Sequence, residues 1–230
     1  MKLSIIVPTY NEERTILKIL KRIRSVNLSK YGIKKEIIIV NDGSKDNTVE
    51  LLKKNKALYT KLITKPNGGK GSAIRKGFEN ATGDLILIQD ADLEYNPGDY
   101  SRLIKPILEN KTKVVYGCRF KFKQNKNWAI PTHYIGNRVL SLLISILFFR
   151  KIIDMETCYK CFTKEVLSKL DLRENDFRIE PEITTQIIKN GFEILEVPIH
   201  YNPRKFEEGK KINWKDGIKA LFALIKYRFI

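Results

Sequence analysis

The sequence predicts an α/β fold in which a mostly parallel sheet is covered by helices on both faces. Three observations carry this. Short runs of β-branched and other apolar residues recur at 3–7 (LSIIV), 36–40 (EIIIV), 85–89 (LILIQ), 113–117 (KVVYG) and 193–197 (EILEV). Segments between them carry apolar residues at helical spacing. The strand runs are continuously apolar rather than alternating, which marks strands buried on both faces, as in parallel sheets.

Taken in order, the first strand at 3–7 leads into a helix over 12–26, where Ile16, Ile19, Leu20, Ile23 and Val26 form an i, i+3, i+4, i+7 stripe. The second strand follows at 36–40, and Asp46 or Asn47 is placed to cap the next helix. KLIT (61–64) reads as a third strand, and NGGKGSAIRKGFENATG (67–83) as a glycine turn and a helix closed by Gly83. Strands at 85–89 and 113–117 complete the first half. The second half holds a helical run over 136–149 and a segment around DMETCYKCFTKEVL to which no element is assigned. A helix starts near Glu180–Pro181, where proline suits the first turn, and ends at Gly191. Strand 193–197 follows, then a charged loop, RKFEEGKK (204–211), before a last helix. With no internal repeat or low-complexity linker, residues 1–230 are expected to form one domain whose halves, 1–118 and 119–230, share a core.

Hydrophobic residues make up 43% of the 230, enough to exclude a disordered chain. The net charge of +17 points to an anionic partner: nucleic acid, an anionic membrane surface or a phosphorylated small molecule. Compositional bias toward lysine accounts equally well for many of the surface charges. A nucleic-acid-binding domain is the weaker reading, because no RNP, helix-turn-helix or zinc-finger pattern is present. Cys118, Cys158 and Cys161 are too few for a disulfide scaffold, and the lone CxxC reads as reduced thiols. No secretory signal is visible, so the cytoplasmic side is expected. The longest apolar run, VLSLLISILFF (139–149), is about half of a bilayer span. This run and the C-terminal IKALFALIKYRFI, where Ile218, Leu221, Phe222, Ile225 and Phe229 share a face, either contact a membrane or pack on the core.

In parallel α/β sheets, ligands bind beyond the carboxyl ends of the strands. PTYNE, NDGS and QDADLE fall there. If the chain stays extended, Asp90, Asp92 and Glu94 point to one side and Ala91 to the other. Three carboxylates so arranged suit a hard divalent cation, Mg²⁺ or Mn²⁺, held together with substrate phosphates. Competing phosphate motifs fail: NGGKGSAIRKG lacks P-loop spacing, and Ile74 stands where a dinucleotide fingerprint needs glycine.

SIIVPTYNE, VNDGSKDNT, GGKGSAIRKG, QDADLEYNP and YGCRF, in that order, resemble the family-two glycosyltransferases of the GT-A (Rossmann-like) fold. NRVLSLLISILF, VPIHYNPR and EEGKKINWKDG are similar to the dolichyl- or polyprenyl-phosphate sugar synthases within that family. The resemblance implies a nucleotide-sugar donor, GDP- or UDP-linked. Pro8, Tyr10 and Glu12 would hold the nucleoside, with Val40 and Asp42 beside the base. Asp90, Ala91 and Asp92 would line the diphosphate and sugar, with Asp90 and Asp92 carrying the catalysis and Asp92 ligating the metal directly. Glu94 stands where such synthases usually carry glutamine. Arg119, Arg204 and Lys210 match residues that contact donor phosphates, and the 204–211 loop is placed to close over a diphosphate.

The implied reaction is inverting displacement at the sugar's anomeric carbon. Relatives with sugar-hydroxyl acceptors carry an acidic pair as base, and none is clear here; the nearest acids are Asp154, Glu156, Glu180 and Glu182. A phosphate monoester is already anionic, so the missing pair favours a dolichyl or polyprenyl phosphate acceptor, with His133 and Arg138 as candidates for its phosphate. The favoured sugar is mannose, with glucose the rival. A hydroxyl acceptor in polysaccharide or glycan synthesis is the alternative. The protein is expected to sit peripherally on the cytoplasmic face of a membrane, by itself or through a membrane-protein partner.

Overall fold

The structure, a computed structural model, describes residues 1–121, 131–204 and 214–230. Its strands are β1 (Lys2–Thr9), β2 (Lys34–Asn41), β3 (Lys61–Thr64), β4 (Leu85–Ile88), β5 (Val114–Cys118), β6 (Lys160–Thr163) and β7 (Ile194–Pro198). They form one sheet in the order β3-β2-β1-β4-β6-β5-β7. β1 pairs in parallel with β2 and β4, β2 with β3, and β5 with β7; β6 runs antiparallel to both β4 and β5.

The strand order reverses at β1, where the chain leaves toward β2 and β3 on one side and returns as β4 on the other. The carboxyl ends of β1, β2 and β4 therefore lie side by side, and this switch point forms the crevice where such sheets take ligands. β6 is the strand the sequence left unassigned. It is short and begins with a charged residue, Lys160, which hid it from any apolar pattern; that lysine is nonetheless wholly buried.

The helices are α1 (Ile16–Ser25), α2 (Thr48–Lys54), α3 (Lys70–Glu79), α4 (Tyr100–Leu108), α5 (Pro131–Phe148), α6 (Lys164–Leu167), α7 (Ile179–Lys189) and α8 (Trp214–Phe229). The stripe read from the sequence is the buried face of α1, though the helix starts at Ile16 rather than at residue 12. Glu12 and its neighbours instead form the turn that leaves β1. Asp46 accepts from the Thr48 N–H at 3.0 Å, while Asn47 makes no side-chain cap. α3 ends at Glu79, before Gly83. Proline 106 lies inside α4 and conceals that helix in the sequence. Burial of Tyr100, Leu103, Ile104 and Ile107 supports it: each such side chain contributes about 1.5–3 kcal/mol, against about 3 kcal/mol for the internal proline.

The main core is continuous from β1 to Tyr201. α3 presses closely on β1, because a Cβ at Gly77 would overlap Ile6. A second cluster, Leu140, Ile144, Phe148, Ile152, Met155, Ala220 and Leu224, joins α5 to α8. Each of these helices buries one face and leaves the other in solvent. Ile135, Val139, Leu142, Ile146 and Phe149 are exposed at the end of and along α5, and Ile218, Phe222, Ile225 and Phe229 along α8. Leu221, placed on the same face by the sequence pattern, packs instead against the second cluster. No helix among the described residues is long and apolar enough to cross a membrane. All three cysteines are buried and free.

Candidate active site

The loops that follow β1 and β2 are stitched together by short polar side chains. Asn11, in a left-handed conformation (φ 50°), donates its N–H to Ser44 Oγ at 2.9 Å and accepts from the Lys45 N–H at 2.8 Å. Glu12 N–H donates to Thr48 Oγ1 at 2.9 Å. Pro8 and Val40 are register partners in β1 and β2. Val40 is wholly buried in the core, so only its backbone is available at the sheet edge, whereas Pro8 and Tyr10 are partly exposed.

Asp42 folds the glycine turn. Its carboxylate accepts the N–H groups of Gly68 (3.0 Å) and Gly69 (2.7 Å), and it pairs with Lys65. Gly69 has φ 94°, which an L side chain rarely adopts, and a Cβ there would meet the Asn175 carbonyl at 2.5 Å. The turn delivers Lys70 to the start of α3. A lysine at a helix N-terminus opposes the helix dipole, so it stays there only with anionic partners. Lys70 Nζ has two: Asp90 Oδ1 at 3.0 Å and Glu180 Oε1 at 3.1 Å. Burial alone would lower this ammonium; the neighbouring carboxylates hold it well above its usual value. Burial likewise opposes ionisation of Asp90, and Lys70 overrides it, keeping that carboxyl below its usual range.

The chain does not stay extended past β4, which ends at Ile88, so the alternation expected of Asp90–Glu94 fails. Glu94 N–H donates to Asp92 Oδ1 at 3.0 Å, which closes a tight local turn. Asp90 therefore faces Lys70, while Asp92 and Glu94 face Arg204. Arg204 Nη2 donates to Asp92 Oδ2 at 2.7 Å, Nη1 lies 3.4 Å from Glu12 Oε2, and the Arg204 N–H donates to Glu94 Oε1 at 2.8 Å. Tyr201 O–H donates to Glu94 Oε2 at 2.9 Å. Burial, and then Asp90 and Glu94 close by, push Asp92 up to about 8 against the pull of Arg204. Among the described residues no three His, Cys, Asp or Glu side chains are grouped to share one ion. Asp90, Asp92 and Glu94 thus share a sheet edge without forming a cage. The chemistry of the set still fits a hard cation. Glu12, Asp90, Asp92 and Glu94 offer only oxygen donors, and their carboxylates outnumber the cations Lys70 and Arg204 beside them.

Arg119 is locked by Asp154, with Nη2–Oδ1 at 2.6 Å, Nε–Oδ2 at 2.8 Å and its own N–H on Oδ2 at 2.8 Å. Its guanidinium also lies 5.1 Å from the Tyr201 ring centre. Of the remaining acids, Glu180 pairs with the buried Lys160 and with Lys70. Glu182 accepts the N–H groups of Arg173 and Glu174, each at 2.9 Å. Glu156 Oε1, like Glu180 Oε1, is buried with no hydrogen-bond partner among the described residues. Arg138 is exposed on α5, 3.4 Å from the Ile153 carbonyl. The side chains of His133 and Lys210 lie outside the described residues.

Lys70 and Lys160 belong to this cluster and were not singled out from the sequence. The signal for Lys70 was a cation at a helix start, and for Lys160 a charge inside an otherwise apolar run.

Burial, then Glu180, raises Glu156 to about 7, with Lys160 and Arg119 opposing. The folded state thus binds this proton more tightly than the unfolded chain, so ionising Glu156 costs stability. The cost is absent below the unfolded value near 4.5, grows as pH rises, and is complete above about 7. Glu156→Gln is therefore expected to stabilise the protein by about 1–2 kcal/mol at pH 8 and to change little at pH 4. Thermal melts at the two pH values check this.

The family model described as Glycosyl transferase family 2 matches residues 4–171. An uncharacterized protein of Methanocaldococcus jannaschii is 30% identical over 97% of this chain and 91% of its own length. A dolichol-phosphate mannosyltransferase of Pyrococcus furiosus is 30% identical over 91% of this chain, which spans 59% of that longer protein. A dolichyl-phosphate beta-glucosyltransferase of Trichomonas vaginalis is 31% identical over 97% of this chain and 72% of its own length. Among solved structures, glucosyl-3-phosphoglycerate synthase of Mycobacterium tuberculosis with bound UDP superposes with a TM-score of 0.77 at 17% identity, covering 100% of this chain and 80% of that one. The same synthase with Mn²⁺, UDP and glucosyl-3-phosphoglycerate gives 0.74 at 16% identity, covering 100% and 80%. At such identity the likeness concerns the fold.

Proposed function

The chain belongs to glycosyl transferase family 2, and from that premise we propose that it moves a hexose from a nucleoside diphosphate sugar to a dolichyl or polyprenyl phosphate at a membrane surface. It is a glycosyltransferase with the GT-A fold. The observation that carries the donor reading is the meeting of Asp90 and Asp92 with Lys70 and Arg204 at the carboxyl ends of β1, β2 and β4. The acceptor reading is supported by the names of the two dolichyl-phosphate transferases. One is a mannosyl- and the other a glucosyltransferase at nearly equal identity, so GDP-mannose and UDP-glucose are the first donors to try.

In this reading the 1–118 half holds the donor and the 119–230 half the acceptor. Pro8, Tyr10, Glu12 and the Asp42-anchored turn form the nucleoside side. Asp90 and Asp92 would hold Mg²⁺ or Mn²⁺, which when bound neutralises charge on the departing diphosphate. Lys70 and Arg204 present fixed positive charge to the same phosphates. Arg119, held by Asp154, stiffens the floor of the site beneath Tyr201. The acceptor phosphate attacks the anomeric carbon from the face opposite the leaving group and inverts it. Already anionic, it needs no base, in keeping with Asp154, Glu180 and Glu182 each being committed to protein partners.

The exposed apolar faces of α5 and α8, with Arg138, Arg150, Lys219, Lys226 and Arg228 exposed around them, suit an anionic lipid surface. The protein is expected to float with anionic liposomes at low salt. The double substitution Leu142→Asp and Phe222→Asp should weaken that binding more than about tenfold; equal flotation of wild type and variant would remove the membrane face from the proposal.

The deciding experiment incubates protein, Mg²⁺ or Mn²⁺ and polyprenyl phosphate with radiolabelled GDP- and UDP-sugars. Label entering the organic phase is the expected result. Transfer to a sugar hydroxyl with polyprenyl phosphate untouched would overturn the acceptor assignment and leave the donor site standing.

A further inference from the structure

We propose that Glu156 receives a hydrogen bond from a hydroxyl of the transferred hexose and thereby helps set which sugar the site accepts. The proposal rests on the reading of the site as one for a nucleotide sugar.

Four acids of the second half lie near the site, and three are spent. Asp154 holds Arg119 through both oxygens. Glu180 holds Lys160 and Lys70. Glu182 caps the backbone of the 173–174 turn and accepts from Tyr227 O–H at 3.0 Å. Two of their buried oxygens, Glu156 Oε1 and Glu180 Oε1, have no hydrogen-bond partner among the described residues, and Glu180 Oε1 is offset by the Lys70 ammonium 3.1 Å away. Such an atom costs about 1–3 kcal/mol unless something satisfies it.

The neighbouring donors are directed elsewhere. An ammonium has three protons. Lys160 directs its own at Glu180, the Met155 carbonyl (3.0 Å) and the Thr157 carbonyl (2.5 Å). Lys70 is drawn to Asp90 and Glu180, and Arg119 to Asp154. Yet the Lys160 ammonium bonds the carbonyls on either side of Glu156 and also Glu180, Glu180 pairs with Lys70, and Lys70 contacts Asp90. Glu156 therefore belongs to the cluster that begins at the donor carboxylates.

In its ionised form Oε1 can only accept, so the missing partner then brings the donor proton. A diphosphate has only acceptor oxygens and would be repelled by a carboxylate. A sugar hydroxyl is uncharged and donates, and its position differs between hexose epimers. Recognition by a site built to bond one hydroxyl is a strong filter, because the wrong epimer leaves Oε1 unpaired again.

The test titrates the full chain, with Mg²⁺ or Mn²⁺, against UDP, GDP, UDP-glucose and GDP-mannose by calorimetry. Glu156→Ala is expected to weaken the preferred sugar nucleotide roughly tenfold while the bare nucleotide stays within about twofold. Glu156→Gln, which keeps an acceptor oxygen, should recover most of the affinity, and bare-nucleotide binding reports that each variant is folded. Equal weakening of nucleotide and sugar nucleotide, or no change in either, would overturn the proposal. So would unchanged sugar-nucleotide affinity together with loss of transfer to a hydroxyl acceptor in Glu156→Gln, which would make the residue a base. Because binding is read without an acceptor, a failure of polyprenyl phosphate to accept sugar leaves this result intact.

Discussion

Asp92→Ala is expected to lower sugar transfer by about 10²–10³-fold, the usual cost of removing one group that stabilises charge developing on a leaving group. Asp92 is buried and bonded to Arg204, at the place where carboxylates exceed cations. Removing it takes away a proposed oxygen ligand for the cation and leaves Arg204 to shift toward Glu12 and Glu94, its other partners. Asp92→Asn keeps the shape but not the charge and should lose nearly as much. The radiolabel assay gives the rate, and an unchanged melting temperature separates loss of chemistry from loss of fold. Activity within a few-fold of wild type would show that the carboxylate does not act on the donor.

Asp154→Ala carries the largest expected effect on stability, a loss of about 3–5 kcal/mol in urea unfolding. The Arg119–Asp154 pair is almost wholly buried, bidentate, and reinforced by the Arg119 N–H. Removing the acid leaves a guanidinium in a place water does not reach, and that uncompensated charge, rather than the lost attraction, dominates the cost. Replacing both partners with apolar residues of similar size should therefore cost much less than replacing Asp154 alone. A double variant as unstable as the single one would locate the cost in lost packing instead.

Much of the framework was legible in the sequence because burial on two faces leaves a direct mark. Strands at 3–7, 36–40, 61–64, 85–89, 113–117 and 193–197 all appear within a residue or two of β1–β5 and β7. β6 escaped because Lys160 interrupts its pattern. A counter-charge twenty residues later, Glu180, together with the Met155 and Thr157 carbonyls, makes a lysine tolerable in that strand. α4 escaped because Pro106 reads as a stop, which its buried stripe overrides. Asp42, Asp90 and Asp92 were legible as polar residues at strand ends. What each of them faces was not. Asp90 and Asp92 turn to different partners because the strand ends two residues before the first of them.

By itself the sequence determined the sheet, the edge where the carboxylates gather and the family, since these follow from local apolar patterning and from motifs in chain order. The tertiary structure decided the pairing of charges. Lys70 with Asp90 and Glu180, Arg204 with Glu12 and Asp92, and Arg119 with Asp154 join residues from 20 to 192 positions apart. Coulomb attraction is strong in a dry interior, but a charge is stable there only where a partner meets it. Which charges meet there is fixed by how strands and loops pack, and no spacing along the chain encodes it.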